Sequence, residues 1–124
     1  MFQIKVDKSK NLLSFIFSGH VTPEETRRWR EELCEVLSGM QPGFTLMTDL
    51  SGLDSMDLGC APDIESSMEA LDEAGISRVV RIIPDPRKDI GLNIMSRFHY
   101  DPRVRIVICN TMEEALRALA GEAP

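Results

Sequence analysis

Strand and helix patterns alternate along most of this chain of 124 residues, and this alternation constrains the fold more than any other feature. Two apolar runs at 2–6 and 12–17 flank the polar segment 7–11, which predicts a β-hairpin. Beyond the hairpin, segments with helical periodicity alternate with short apolar runs that are typical of strands. The order β-β-α-β-α-β-α-β-α therefore predicts an α/β fold, with a mixed, mostly parallel five-stranded sheet and about four helices packed on it.

Four segments have the apolar spacing of helices. The first starts at Thr22-Pro23-Glu24-Glu25, which combines a capping box with proline at the first helical position. We expect the others at 61–74, at 89–98 and after Thr111, and each carries an apolar stripe. In chain order, the stripes are Trp29, Leu33, Val36, Leu37 and Met40; Ile64, Met68 and Leu71; Ile90, Ile94 and Phe98; and Met112, Ala115, Leu116 and Leu119.

The remaining strands are predicted at 44–49, 78–83 and 104–109. Gly19 is expected to end the second strand, and Gly75 to end the second helix in the left-handed conformation. Arginines that alternate along the later strands, such as Arg78 and Arg81, indicate an exposed sheet edge or face. The last predicted strand and the first hairpin also leave open edges, through which a homodimer could form.

Length and composition indicate one domain over residues 1–120, followed by a frayed tail at 121–124. The formal charge of −6 argues against binding to nucleic acid. The charge is also uneven, with 6 basic and 14 acidic residues up to Gly75, and 8 and 6 after it. Solvated helix faces explain this, and so does a steered contact with a partner of complementary charge.

The cysteines and the apolar runs bear on location and cofactors. Cys34, Cys60 and Cys109 are odd in number and lack metal-ligand spacing, so we predict no metal and no cofactor. No secretory signal is recognisable, and no apolar run approaches the roughly 20 residues of a membrane span. The expected location is a reducing cytoplasm.

Residues 44–60 contain the most informative motif. An apolar run ends at Asp49-Leu50-Ser51-Gly52, a second acid, Asp57, follows, and a helix is expected directly after it. A strand that delivers carboxylates and backbone N–H groups to the start of a helix is a common way to build a recognition edge.

These residues resemble the STAS domain family, the bacterial anti-sigma-factor antagonists of the SpoIIAA type and their relatives. That family has a strand ending in Asp-Leu-Ser-Gly, a loop with Asp-Ser-Ser-Gly or Asp-Ser-Thr-Gly, a helix, a glycine and an apolar strand. Here Asp49 to Gly52, Asp57 and Gly75 fall at the matching positions, and 111–119 looks like the closing helix. The resemblance implies a SpoIIAA-like fold whose partner-binding surface is the loop around Asp57.

The chain departs from that family at its phosphorylated position. In this register the phosphorylated Ser or Thr falls on Gly59, which has no hydroxyl group. The family's phosphoswitch cannot operate there, and the nearest hydroxyl is that of Ser55, two residues before Asp57. The chain looks closer to stand-alone relatives that lack the phosphorylated serine and are related in fold to lipid-binding SEC14 domains.

Catalytic interpretations of this stretch have little support. Asp49 and Asp57 could be paired carboxylates, but an aspartate at a strand end or before a helix more often accepts backbone N–H bonds. Cys60 lies near a helix start, where its pKa could fall, yet neither His20 nor His99 belongs to a motif with it. We expect Cys60 to pack, and Cys34 and Cys109 to be buried.

The leading prediction is therefore a non-enzymatic regulatory module that binds a protein partner, a regulator or an anti-sigma-type kinase. The predicted contact residues are Ser55, Met56, Asp57, Leu58, Gly59 and Cys60, with the start of the second helix. Met56 and Leu58 could either pack under the loop or form an exposed contact patch. The alternative is a small-molecule, lipid or anion site at Arg87 and Lys88, beside the stripe of the third helix.

Overall fold

The computed structural model describes residues 1–88 and 91–121, without the side chains of Lys88 and Asn93. The predicted order of elements is confirmed. The strands are β1 (Phe2–Asp7), β2 (Leu12–Val21), β3 (Thr45–Met56), β4 (Arg78–Ile82) and β5 (Arg105–Cys109). The helices are α1 (Pro23–Leu37), α2 (Ala61–Glu73), α3 (Leu92–His99) and α4 (Met112–Leu119), and short 3-10 turns cover Leu58–Cys60 and Pro86–Lys88.

The five strands form one mixed sheet in the order β1-β2-β3-β4-β5. β1 pairs with β2 in antiparallel orientation, and each later pair is parallel. The predicted mostly parallel α/β sheet is thus confirmed. Strands β1 and β5 lie at the two edges, as expected for the hairpin and the last strand.

The core divides between the two faces of the sheet, because neighbouring strand residues point to opposite sides. In β4, Val79 belongs to the larger cluster with residues of α1, α2 and α3, whereas Val80 packs in a smaller cluster with Ala115 of α4. Burial of this apolar area is the main stabilising force, at about 25 cal/mol per Å².

Helix α1 begins as predicted. The side chain of Thr22 accepts a hydrogen bond from the Glu25 amide at 3.3 Å, and the Glu25 carboxylate accepts one from the Thr22 amide at 3.3 Å. Trp29 and Leu33 are buried, and the rest of the stripe packs against the same cluster. At α4 the cap differs in part: Thr111 accepts from the Glu114 amide, but the Glu114 carboxylate accepts from the Asn110 amide instead.

Two strands are longer than predicted. β2 continues through Gly19, which has φ of +66°, to Val21, and β3 continues through the Asp49-to-Gly52 motif to Met56. The two extensions pair with each other beyond register shifts between Ile16 and Ser18 and between Gly19 and His20. A bulge absorbs the irregular residues while the ladder goes on, which a local turn signal cannot reveal.

The stripes predicted for the last two helices are partly wrong. On α3, Ile94 and Phe98 are 63% and 79% exposed, because Leu92 and Ser96 form the buried face. On α4, Ala115 is buried but Met112 and Leu116 are exposed, because the face of the helix that packs on the sheet carries Ala115, Ala118 and Leu119. The first residues predicted for α3, Asp89 and Ile90, lie outside the described residues, as do 122–124 of the predicted frayed tail.

Among the described residues, no helix is both long and apolar enough to cross a membrane. The same residues contain no group of three or more potential metal ligands that could hold an ion.

Candidate functional site

The segment from Ser55 to Cys60, called the 55–60 segment, lies where β3 ends and α2 begins. Ser55 and Met56 are the last residues of β3 rather than loop residues, and they pair with His20 and Val21 of β2. Asp57 then leads into the 3-10 turn, and its amide donates to the Val21 carbonyl at 3.0 Å. The ends of two parallel strands and the start of a helix therefore meet at one edge, as the motif predicted.

His20 lies at the centre of this edge. Its Nδ1 is 2.6 Å from Oγ of Ser55, and its Nε2 is 3.0 Å from Oδ1 of Asp57. In the tautomer with the proton on Nε2, the imidazole donates to Asp57 and accepts from the Ser55 hydroxyl. The ring thus links β3 to the residue that precedes the turn, and both the His20 and Asp57 side chains remain about half exposed.

Sequence reasoning missed His20, because no motif contains it. The available signal was positional: parallel strands present their carboxyl ends at the same edge of a sheet. His20 follows Gly19, where the second strand was predicted to end, so the longer β2 was needed to place it beside Ser55.

The hydroxyl, imidazole and carboxylate have the connectivity of a hydrolase triad. In a hydrolase such groups act in a site that excludes water and positions them before reaction. Here Ser55 is exposed, and water competes for the half-exposed His20 and Asp57. The arrangement orders the 55–60 segment more readily than it activates a nucleophile.

The two aspartates of the motif have different roles. Asp49 accepts hydrogen bonds from the amide and hydroxyl of Ser51 at 2.9 and 2.6 Å, so its predicted local role is confirmed. Asp57 was expected to accept amide bonds from the helix start, and this is wrong, since it makes no side-chain cap there and contacts His20 instead. Its carboxylate lies at the surface.

One of the two apolar residues of the segment packs under it, and the other is exposed to solvent. Met56 is partly buried and packs against the larger core cluster. Leu58 is 94% exposed, so it forms an apolar projection beside the charged Asp57. An exposed leucine on its own is ordinary, but this one lies between an ordered polar network and the start of a helix.

Gly59 lies in the 3-10 turn, two residues before α2 begins, in the region where the resemblance places it. A Cβ atom at this position would be 3.0 Å from Cγ of Pro23, the first residue of α1. The close approach of the two helix starts explains why a residue without a side chain fits here. A hydrogen bond also joins the start of α2 to α1, because Thr26 Oγ1 donates to Asp63 Oδ2 at 3.0 Å.

The cysteines only partly match expectation. Cys60 is fully buried, and its thiol is 3.7 Å from the Val21 carbonyl oxygen. Burial raises the pKa of the Cys60 thiol, so the helix start does not activate it. Its predicted packing role is confirmed, and any contribution to a partner contact comes from supporting the segment. Cys109 is buried as expected, whereas Cys34 is exposed, contrary to expectation.

The residues of the alternative site lie in the 3-10 turn Pro86–Lys88, which follows the carboxyl end of β4. Arg87 is exposed and forms a bidentate pair with Asp85, with Nε at 3.1 Å from Oδ1 and Nη2 at 2.9 Å from Oδ2. Hydrogen bonding to Asp85 raises the Arg87 pKa. Lys88 ends the second 3-10 turn, and its side chain is outside the described residues. An anion site at Arg87 and Lys88 stays a prediction.

The alternating arginines do not share one environment. Arg81 was expected at an exposed edge or face, but it is buried on the side covered by α1, α2 and α3, and its Nη2 donates to Ser96 Oγ at 3.0 Å. Arg78 is half-buried and donates to the Ala118 carbonyl. The prediction was wrong for Arg81 because β4 lies inside the sheet, where both faces are covered.

No known family model and no curated protein sequence matches this chain. Solved structures do resemble it along nearly its whole length. A protein of the DUF3478 family from Shewanella loihica PV-4, described as uncharacterized with a SpoIIAA-like fold, is 21% identical with a TM-score of 0.73, over 95% of this chain and 93% of that one.

Two further structures are of anti-sigma factor antagonists. Unphosphorylated SpoIIAA is 17% identical with a TM-score of 0.67, over 98% of this chain and 99% of its own. An antagonist from Mycobacterium paratuberculosis is 19% identical with a TM-score of 0.60, over 97% and 95% of the two chains. At these identities the likeness concerns the fold, and the chain has the SpoIIAA-like fold of STAS domains.

Proposed function

We propose that this SpoIIAA-like chain is a non-catalytic regulatory module that binds a protein partner through the 55–60 segment and the start of α2. The observation that supports the proposal is that ordered polar side chains and an exposed apolar side chain lie side by side at this edge of the sheet. His20 ties Ser55 to Asp57, while Leu58 stands almost fully in solvent beside them. Ordering a contact residue before binding lowers the entropic cost of association.

The fold supports a regulatory role. Two of the structures it resembles are anti-sigma factor antagonists, which are regulators of other proteins. The partner class we propose is a regulator or an anti-sigma-type kinase in the cytoplasm. Asp57 and the excess of acidic residues up to Gly75 suit a partner whose contact surface is basic. Phosphorylation at position 59 cannot control this contact, because Gly59 has no hydroxyl group to accept a phosphate.

The test is capture of partners from a native lysate by the wild type and by a variant that combines Asp57→Lys with Leu58→Asp. A matched control combines Glu113→Lys with Leu116→Asp on α4, which makes the same types of change at another exposed site. We expect a specific partner to be lost by the first variant and kept by the control. Equal capture by both variants would remove the proposal.

We also propose that any homodimer forms through an edge strand, β1 or β5, and not through the 55–60 segment. Edge strands present unpaired backbone groups to a second copy. Analytical ultracentrifugation of the Asp57→Lys, Leu58→Asp variant checks this, and we expect the same oligomeric state as the wild type.

A further inference from the structure

The last strand of the sheet, β5, has an open edge. Within the described residues it pairs only with β4. The Arg105 amide donates to the Ser77 carbonyl on the β4 side of the strand. Because backbone groups alternate in direction along a strand, the N–H and C=O groups of Ile106 and Ile108 face away from β4. These groups are placed to pair with a further strand.

The side chains at this edge are apolar and β-branched. Ile106 and Ile108 are 36% and 45% exposed, and Ile106 lines a surface pocket with Arg97 of α3. Val107 and Cys109 point to the other face, into the cluster under α4. Isoleucine and valine favour strand pairing, and an apolar edge strand is the kind that pairs with another chain.

The other edge strand, β1, is less suited to pairing. Its exposed residues include Lys5 and Asp7. Charged side chains on an edge strand are a common device against pairing with another chain. Between the two open edges of the sheet, the residues of β5 therefore favour association more than those of β1.

We propose that the protein forms a symmetric dimer in which β5 pairs in antiparallel orientation with β5 of a second copy, about a two-fold axis at Val107. The inference rests on the edge-strand dimer proposed above and selects one of its two strands. The two sheets then form one continuous sheet across both copies.

The residues of β5 complement themselves in this register. A two-fold contact places the same surface of both copies against itself, so that surface must be self-complementary. With the axis at Val107, all five residues of β5 are paired. Ile106 lies opposite Ile108 of the second copy, and such a pair exchanges both N–H···O bonds. The outward-facing backbone groups of both isoleucines are thereby satisfied.

The charges at the ends of β5 also agree with this register. Arg105 lies opposite Cys109 of the second copy, so the two arginines do not face each other. Just beyond the end of β5, the Glu114 carboxylate accepts from the Asn110 amide at 2.9 Å. Antiparallel pairing brings the start of one strand beside the end of the other, so Arg105 approaches Glu114 of the second copy. Opposite charges across a contact favour that register over others.

Sedimentation equilibrium of the full chain tests the dimer. Small interfaces are the weak ones, so the measurement covers about 10 to 500 µM protein. We expect the mass of two copies for the wild type, and about tenfold or more weaker association for Ile108→Lys. Ile94→Lys is the matched control, because it makes the same change at an exposed isoleucine of α3. Val6→Lys makes a similar change on β1, where Val6 is exposed.

Disulfide cross-linking tests the register. Val107 faces its own copy across the axis, in a non-hydrogen-bonded pair whose Cα atoms lie about 4.5 Å apart, within the range of a disulfide. Val107→Cys and Ile108→Cys are each made together with Cys34→Ser, because Cys34 is exposed. Exposure alone favours the reaction of Ile108→Cys, since Ile108 is more exposed than Val107. The register favours Val107→Cys, and we expect most of the disulfide-linked dimer with that variant.

Several results would overturn the proposal: a monomer at every concentration, unchanged association of folded Ile108→Lys, or faster cross-linking of Ile108→Cys. Dissociation by Ile94→Lys or by Val6→Lys would also overturn it, and the latter would assign the dimer to β1. None of these variants changes the 55–60 segment. Failure of this dimer is therefore distinct from failure of the proposed partner contact, which the capture experiment tests separately.

Discussion

The Nε2 atom of His20 lies 3.0 Å from Oδ1 of Asp57, and this contact joins the end of β2 to the residue that leads into α2. His20 also contacts the Ser55 hydroxyl, so one imidazole bridges two exposed residues of the 55–60 segment, one on each side of Met56. These two residues are thereby ordered without being buried. This relationship yields the first prediction.

His20→Ala should weaken binding of the captured partner while the fold remains stable. The contact is about half exposed. Exposed polar pairs contribute at most about 1 kcal/mol, so we expect less than about 1 kcal/mol of lost stability by urea denaturation. The matched control is His99→Ala, which removes the contact of His99 Nδ1 with Glu69 at 2.8 Å between α3 and α2. Partner affinity equal in the two variants would contradict the role given to His20.

Thr22→Ala should destabilise the domain through the start of α1. The change removes the acceptor of the Glu25 amide, and loss of such a cap costs about 0.5–2 kcal/mol. Urea denaturation with a constant m-value measures the loss. Thr22→Ser keeps the hydroxyl and should retain most of the stability, and equal losses in both variants would show that the cap is not the cause.

Tyr100 should make the domain sensitive to alkali. Its pKa is raised in the folded state by burial, so its stabilising contribution is present below the unfolded pKa of about 10 and is lost as the pH rises above it. Tyr100→Phe should therefore lose less stability than the wild type between about pH 10 and pH 12. Thermal unfolding of both proteins across that range measures the difference. The lysines titrate in both proteins, so the difference reports the tyrosine.

Tyr100 is also the only tyrosine, so absorbance near 295 nm follows its ionisation alone. We expect the phenolate to appear together with unfolding and not before it. A phenol that ionises near its ordinary pKa in the folded protein would refute the prediction.

The cysteines should react at very different rates with iodoacetamide at neutral pH. Cys34 is exposed, whereas Cys60 and Cys109 are buried, and burial raises the pKa of both buried thiols. We expect mass spectrometry of peptides to find Cys34 modified first. In denaturing urea all three should react, which serves as the control, and rapid reaction of Cys60 in the native protein would reopen a thiol-based activity.

Much of the fold follows from local pattern. The capping box at Thr22, the stripe of α2 and the left-handed Gly75 depend on neighbours within a few residues, and each is present. The stripes of α3 and α4 were misjudged because apolar spacing shows which residues could share a face, but not how much of that face another element covers. Ile94 and Leu116 are exposed for this reason.

The amino-acid sequence by itself determined the order of elements, the α/β class and the edge at which Asp57 meets a helix start, because these depend on periodicity and short-range capping. Only the tertiary structure decided that His20 contacts both Ser55 and Asp57, that Arg81 is buried, and that the buried Nε1 of Trp29 has no hydrogen-bond acceptor among the described residues. These contacts depend on strand register and on the bulges that let β2 and β3 continue together. Register joins residues far apart in the chain, so no local pattern encodes it.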